Sequence, residues 1–222
     1  MSTLMLVRHG LSQSNAGLAT RDPAEIELLP EGHTQAEALA TRWSLGRPDR
    51  VVVSPYRRTL QTALPLLRRF EMGMSPEVWT EAREFTYLSP PAVPQTPHER
   101  RPAVSRYWSE ADVHRRDDGE GVESFAEFWA RTRAFGKRAA LAAADSPLIV
   151  IFTHGLLMAA FDLQCELPET VADPDLMRHL NQLRQSPIDN ANAASYVWTH
   201  TGWRRTPDAG TTPTSPSARS AR

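Results

Sequence analysis

Leu4-Met5-Leu6-Val7-Arg8-His9-Gly10 opens the chain with four consecutive apolar residues that run straight into a cation, an imidazole and a glycine. A short apolar run bounded by a turn signal reads as a strand buried on both faces. Two further runs, Val51-Val52-Val53 and Leu148-Ile149-Val150-Ile151-Phe152, have the same character. Between them lie stretches with helical spacing. Glu31–Trp43 is rich in Ala, Leu, Glu and Gln and follows Pro30, which suits a helix start. Tyr56–Phe70 carries Leu60, Ala63, Leu64, Leu67 and Phe70 on one stripe, with Pro65 expected to kink or break it. In Glu123–Ala144, Phe125, Phe128, Trp129, Thr132 and Phe135 recur at three and four, and Ser146-Pro147 ends the helix.

Strands that alternate with helices argue for an α/β fold: three α/β/α layers around a mainly parallel central sheet. In such sheets ligands bind outside the carboxyl ends of the strands. His9, Ser54 and His154 come within two residues of the ends of the three apolar runs, so all three are expected at one edge of the sheet. Two regions break the pattern. Ser89–Pro97 holds four prolines and leads into the Arg-rich, aromatic stretch from Arg100-Arg101 to Trp108. The excursion, about residues 86–121, is expected to lie over the sheet edge as a cap or lid, or as a surface loop. The segment 206–222 is composed of Thr, Pro, Ser, Ala and Arg and reads as a disordered tail. One domain, residues 1–205, is expected.

The chain has 222 residues, with 41% hydrophobic and 23% charged, and a formal net charge of −1. That balance gives no sign of a nucleic-acid surface, so any anion must be held by a local cluster of cations. With one cysteine, Cys165, no intramolecular disulfide forms, and a small buried side chain is its expected role. Met1–Val7 lacks the length and basic flank of a signal peptide, and no stretch reaches the roughly 18 apolar residues of a membrane span. A cytoplasmic protein is expected, without membrane partners and with its oligomeric state open, homodimer included.

Phosphoryl transfer through histidine needs a neutral imidazole, cations on the non-bridging oxygens, a general acid and a rigid frame. His9 is the candidate nucleophile. Arg8 is the first cation, Arg57 or Arg58 the second, and His154 the third if protonated. Asn15, in Ser12-Gln13-Ser14-Asn15, is placed to donate an amide hydrogen bond from the start of a following helix, whose N-terminus would add positive charge. The other histidines, His33, His98, His114, His179 and His200, lack the paired spacing of metal ligands, so neither metal nor cofactor is expected. Trp79, Trp108, Trp129 and Phe135 read as core or lid packing.

Arg8-His9-Gly10-Leu11-Ser12-Gln13-Ser14-Asn15 resembles the opening motif of the histidine phosphatase superfamily, the phosphoglycerate mutase-like proteins. Four further segments follow in the family's order: Leu29-Pro30-Glu31-Gly32-His33-Thr34-Gln35-Ala36, Ser54-Pro55-Tyr56-Arg57-Arg58-Thr59-Leu60-Gln61-Thr62-Ala63, Ala82-Arg83-Glu84-Phe85 and Phe152-Thr153-His154-Gly155. The resemblance spans about residues 3–200. It implies that His9 is the phosphorylated nucleophile, that Arg8, Arg58 and His154 clamp the phosphate with help from Asn15, and that Glu84 is the proton donor. It favours Arg58 over Arg57 through the spacing to Gln61-Thr62-Ala63, and Glu84 over Glu81 because Phe85 follows. Arg57 is then a helix-surface residue and Glu81 an ordinary solvated carboxylate.

The sequence also departs from the family. Leu11 stands where a polar residue is common, and Tyr56 and Thr59 replace the more usual Leu and Ala. Ala82 replaces a Leu, and Thr86-Tyr87-Leu88-Ser89-Pro90 stands where Gly-x-x-Glu-Gly is typical. The last change weighs against mutase and sugar-bisphosphatase activity more than against phosphatase chemistry. The implied activity is hydrolysis of a phosphate monoester, with a small phosphorylated metabolite as substrate. The alternatives are a phosphoglycerate mutase, a phosphohistidine protein phosphatase and a non-catalytic anion-binding module.

Overall fold

In the computed structural model, which describes residues 2–186 and 188–207, the opening apolar run is strand β1 (Thr3–Arg8). It joins β2 (Arg50–Val53), β3 (Glu77–Val78), β4 (Leu148–Thr153), β5 (Ala193–Thr199) and β6 (Gly202–Arg205) in one six-stranded sheet, ordered β3-β2-β4-β1-β5-β6. The first four of these run parallel; β5 lies antiparallel to β1, and β6 antiparallel to β5. The sheet is therefore mixed but mainly parallel, as the strand–helix alternation implies.

Side-chain alternation along the strands splits the core in two. Leu4, Leu6, Ile149 and Ile151 face one layer, where they meet Phe128 and Phe135 of α4 (Phe125–Ala142), Leu157 and Met158 of α5 (Gly155–Glu166) and Leu180 of α6 (Pro174–Gln185). Met5, Val7, Val150 and Phe152 face the other layer, against Leu39 of α1 (Pro30–Arg42) and Ala63, Leu66 and Leu67 of α2 (Arg57–Arg69). All six residues of β4 are buried, which explains why it reads as a continuous apolar run rather than an alternating one. The result is three α/β/α layers.

Two expectations are corrected, and a third region gains detail. No helix follows Asn15: residues 13–17 form turns, tied down by Gln13 N–H to Glu27 O and Ala16 N–H to Ser12 O at 3.0 Å each. Gly17 takes a positive φ of 84° there, and the Ser-Gln-Ser-Asn run has no apolar stripe to pack. Pro65 neither breaks nor ends α2, which runs through it to Arg69 with the proline buried. Part of the excursion is regular: α3 (Pro97–Glu110) starts with Pro97 in its first turn, and Thr96 and Glu99 close a capping box around that end. The stretch before it is irregular, joined to the body by one bridge, Thr20 to Gln95. The expected tail falls largely outside the described residues.

Candidate active site

β1 and β4 are in register as Arg8 with Thr153, and β2 and β4 as Val53 with Phe152. Parallel strands ending level deliver His9, Ser54 and His154 to one edge, and the structure brings these three side chains together there. The ring centroids of His9 and His154 are 5.2 Å apart, and Ser54 Oγ lies 2.7 Å from His154 Nε2.

The loop that carries His9 is pinned from several sides. Gly10 N–H donates to Thr62 Oγ1 (3.1 Å), Leu11 N–H to Gln35 Oε1 (2.8 Å), and Leu28 N–H to Gln61 Oε1 (2.8 Å). Gly10 and Gly32 pack backbone to backbone: a Cβ on Gly10 would fall 2.5 Å from Gly32 O. The glycines and glutamines of these motifs therefore build the frame around the imidazole, a role the sequence reading did not assign to them.

The hydrogen bonds fix both tautomers. His9 Nδ1 lies 2.8 Å from Gly10 O; a carbonyl only accepts, so Nδ1 carries the proton and Nε2 is left as a lone pair. An Arg58 terminal nitrogen stands 3.1 Å from His154 Nδ1. Since a guanidinium only donates, Nδ1 accepts, and Nε2–H donates to Ser54 Oγ. His154 is thus neutral in this arrangement. The third cation anticipated on the condition of protonation is instead an acceptor for Arg58. Both imidazoles lie well below their ordinary range, first through burial and then through Arg58.

Arg58 is buried, donates to Pro23 O at 2.6 Å, and lies 4.9 Å from the Tyr56 ring centroid. Burial pulls it down to about 10, which leaves it cationic at neutrality. Arg8 donates to Ile188 O, and its Nε is buried with no acceptor among the described residues. Arg57, by contrast, sits at the surface and pairs with Glu25 (2.7 Å) and Glu27 (2.9 Å).

Glu84 faces the same edge. Its carboxylate accepts from Phe85 N–H (2.9 Å) and from Leu156 N–H (3.3 Å) in the first turn of α5. The helix N-terminus and both arginines pull the carboxyl down, yet burial outweighs them and raises it above the ordinary value. Phe85 stacks on Phe128 (4.4 Å, 15°), and Thr153 Oγ1 donates to Ala82 O at 2.7 Å, so the segment is held at both ends. Glu81 instead pairs with Arg138 at 2.8 Å. Asn15 is exposed, with its Oδ1 accepting from Ser12 Oγ at 2.9 Å. It lines a cavity of about 520 Å³ together with Arg8 and Glu84.

Missing from the sequence reading was the pair beneath Glu84. Arg131 of α4 donates twice to Glu123, at 2.9 and 2.5 Å, and to the carbonyls of Glu81 (2.7 Å) and Arg83 (2.9 Å). A sequence signal near it was the Ser124-x-x-Glu127 capping box that starts α4 right after Glu123. Among the described residues no cluster of three or more His, Cys, Asp or Glu side chains is arranged to hold a metal, and no helix is long and apolar enough to cross a membrane. Burial pushes the Cys165 thiol up to about 12, away from thiolate chemistry.

An imidazole lone pair, a buried Arg58 and a half-buried Arg8 at the carboxyl edge of a mainly parallel sheet make a site suited to phosphate esters. The chain belongs to the histidine phosphatase superfamily (branch 1), whose model matches residues 4–206. No curated protein matches the chain. Among solved structures it is similar to a mycobacterial glucosyl-3-phosphoglycerate phosphatase in complex with VO3, at 26% identity and a TM-score of 0.67 over 93% of this chain and 98% of that one. It is also similar to a phosphoserine phosphatase mutant from Entamoeba histolytica in complex with phosphoserine (18%, 0.68, 93% and 96%). A third is a putative α-ribazole-5′-phosphate phosphatase from Escherichia coli (17%, 0.69, 92% and 94%). The family match makes this chain a histidine phosphatase-type enzyme.

Proposed function

We propose that the chain hydrolyses a small phosphate monoester through a phosphohistidine on His9, with Glu84 as general acid and then general base. The observation that carries this is the His9 Nδ1–H bond to Gly10 O, which presents Nε2 as a nucleophile while burial keeps the ring neutral. Arg8 and Arg58 take the non-bridging phosphoryl oxygens. The unpartnered Arg8 Nε is a donor for which such an oxygen is the natural acceptor. Asn15 adds an amide donor, and neutral His154 holds Arg58 in place through its Nδ1.

In the first step His9 Nε2 bonds to phosphorus, the ester P–O bond breaks, and the Glu84 proton passes to the leaving oxygen to give the free alcohol. In the second step water attacks the phosphorus and gives its proton to the Glu84 carboxylate. The P–N bond then breaks, and inorganic phosphate leaves with both residues restored. The mycobacterial relative's complex with VO3 supports the reading, because vanadium oxyanions adopt the geometry of phosphoryl transfer.

The test is an alkaline detergent quench during turnover of p-nitrophenyl phosphate radiolabelled in its phosphate, followed by peptide mapping at alkaline pH. The expected outcome is an acid-labile, base-stable phosphate on the peptide containing His9. His9→Ala is expected to lose both label and turnover with an unchanged circular dichroism spectrum. A variant that keeps more than a small fraction of the wild-type rate overturns the nucleophile assignment.

A further inference from the structure

A cavity of about 540 Å³ opens from Arg58 and Glu84 and runs beneath α3 toward the end of α6. Its charge is one-sided. Arg58, Arg100, Arg101 and Arg184 line it against a single carboxylate, Glu84, in a chain whose formal net charge is −1. The phosphoryl group already has Arg8 and Arg58, so three arginines are in excess of its needs. Arg100, Arg101 and Arg184 pair with no carboxylate among the described residues, so their charge faces the cavity unneutralised by a neighbour.

Arg184 is the best placed of the three. Its Nε and one terminal nitrogen donate to Asn181 Oδ1 at 3.1 and 2.8 Å, and its guanidinium carbon lies 5.3 Å from the Trp108 ring centroid. These contacts fix the fork and leave the other terminal nitrogen without an acceptor among the described residues. Arg184 also borders the cavity that holds Arg8 and Asn15, so with Glu84 and Leu156 it stands where the two openings meet. Tyr87, Leu88 and Val104 give the space between an apolar wall. Like-charged groups gathered in a cleft focus a field that favours an anion there, and a pre-oriented guanidinium recognises an oxyanion best.

We propose that the substrate carries a second anionic group, carboxylate or phosphate, and that this cavity holds it with Arg184 as the specificity-determining contact. The inference rests on the phosphatase reading above. The test compares kcat/KM for phenyl phosphates bearing a para carboxylate, a para phosphate or a neutral para carboxamide, and for 3-phosphoglycerate against glycerol 3-phosphate. At least one acidic ester is expected to exceed its neutral partner by about tenfold or more. That ratio is expected to fall toward one in Arg184→Gln and to persist in Arg178→Gln, a control on the exposed face of α6. A carboxylate preference and a para-phosphate preference identify the two sources of the anion. Near-equal rates within every pair in the wild type, or a preference that survives Arg184→Gln, overturn the inference while the phosphatase reading stands. Failure to release phosphate from any of these esters removes that reading, and the inference with it.

Discussion

Arg131 and Glu123 form a buried, two-pronged ion pair, their side chains 9% and 5% exposed, and the same guanidinium holds the carbonyls of Glu81 and Arg83 just before Glu84. The pair fixes the segment from which the carboxyl projects. Arg131→Met leaves Glu123 without this partner and is expected to cost about 3–5 kcal/mol in urea unfolding. Arg131→Lys keeps the charge but loses the fork. It is expected to restore much of the stability while kcat stays about 10- to 100-fold down, with KM little changed, because a small misplacement of an acid is costly. A lysine variant with wild-type kcat would show that the pair serves stability alone.

Glu84→Gln separates protonation of the leaving group from phosphate binding. With an alkyl phosphate, whose alkoxide needs a proton, kcat is expected to fall about 10²–10⁴-fold. With 2,4-dinitrophenyl phosphate the first step needs no acid. The variant is then expected to show a burst of dinitrophenolate followed by slow turnover, since the base for the second step is also missing. Equal losses on both esters, measured by stopped flow, would remove Glu84 from proton transfer.

The pH profile of kcat/KM follows from two opposite displacements. His9 must be neutral to attack; burial and Arg58 lower it, so the acid limb lies below the ordinary histidine range. Glu84 must be protonated to donate; burial raises it, and activity falls as pH climbs through that raised value. The optimum is expected on the acid side of neutrality, and Glu84→Gln is expected to lose the alkaline limb. A flat wild-type profile from about pH 5 to 9 would contradict the assignment of Glu84 as the acid.

Much of the frame was readable because its signals are local. The apolar runs that became β1, β2 and β4, the composition and leading proline of α1, and the 3.6-residue stripes of α2 and α4 are local signals, and parallel topology then sends His9, Ser54 and His154 to one edge. α5 escaped notice because Gly155–Glu166 is apolar nearly all round and shows no stripe. α3 was legible after all: Thr96-Pro97-x-Glu99 is a capping box with proline in the first turn, and the density of prolines before it obscured the signal. Glu84 was reached only through family resemblance, because its place depends on a short 3₁₀ turn, on Phe85 in an aromatic cluster and on Arg131, 47 residues away. The helix expected after Asn15 failed for the opposite reason: a motif suggested it, and the local residues favour turns.

Gly32 tests how closely the frame is built. A Cβ there would meet the backbone of Leu11, two residues past His9. Gly32→Ala must therefore push α1 away from the His9 loop. An unfolding cost of about 1–3 kcal/mol is expected, with a fall in kcat larger than that of an alanine at the exposed, positive-φ Gly17, where nothing lies within 4 Å. Similar kcat values for the two variants would show that the contact does not position His9.

The buried imidazoles also set an acid limit on stability. His9 and His154 both lie below the ordinary histidine value in the folded chain, so their contribution is complete above about pH 6.5. It is lost as pH falls below that value, because the unfolded chain then takes up protons the folded site refuses. Glu84 and Asp162, raised by burial, bind protons more readily when folded and offset part of the loss nearer the carboxylate range. Urea midpoints are therefore expected to drop between about pH 7.5 and 5.5, and to drop less steeply in His154→Gln, whose amide nitrogen and oxygen stay neutral throughout. Equal slopes for wild type and variant would mean that His154 takes up a proton in the folded state, and that Arg58 has an acceptor other than its Nδ1.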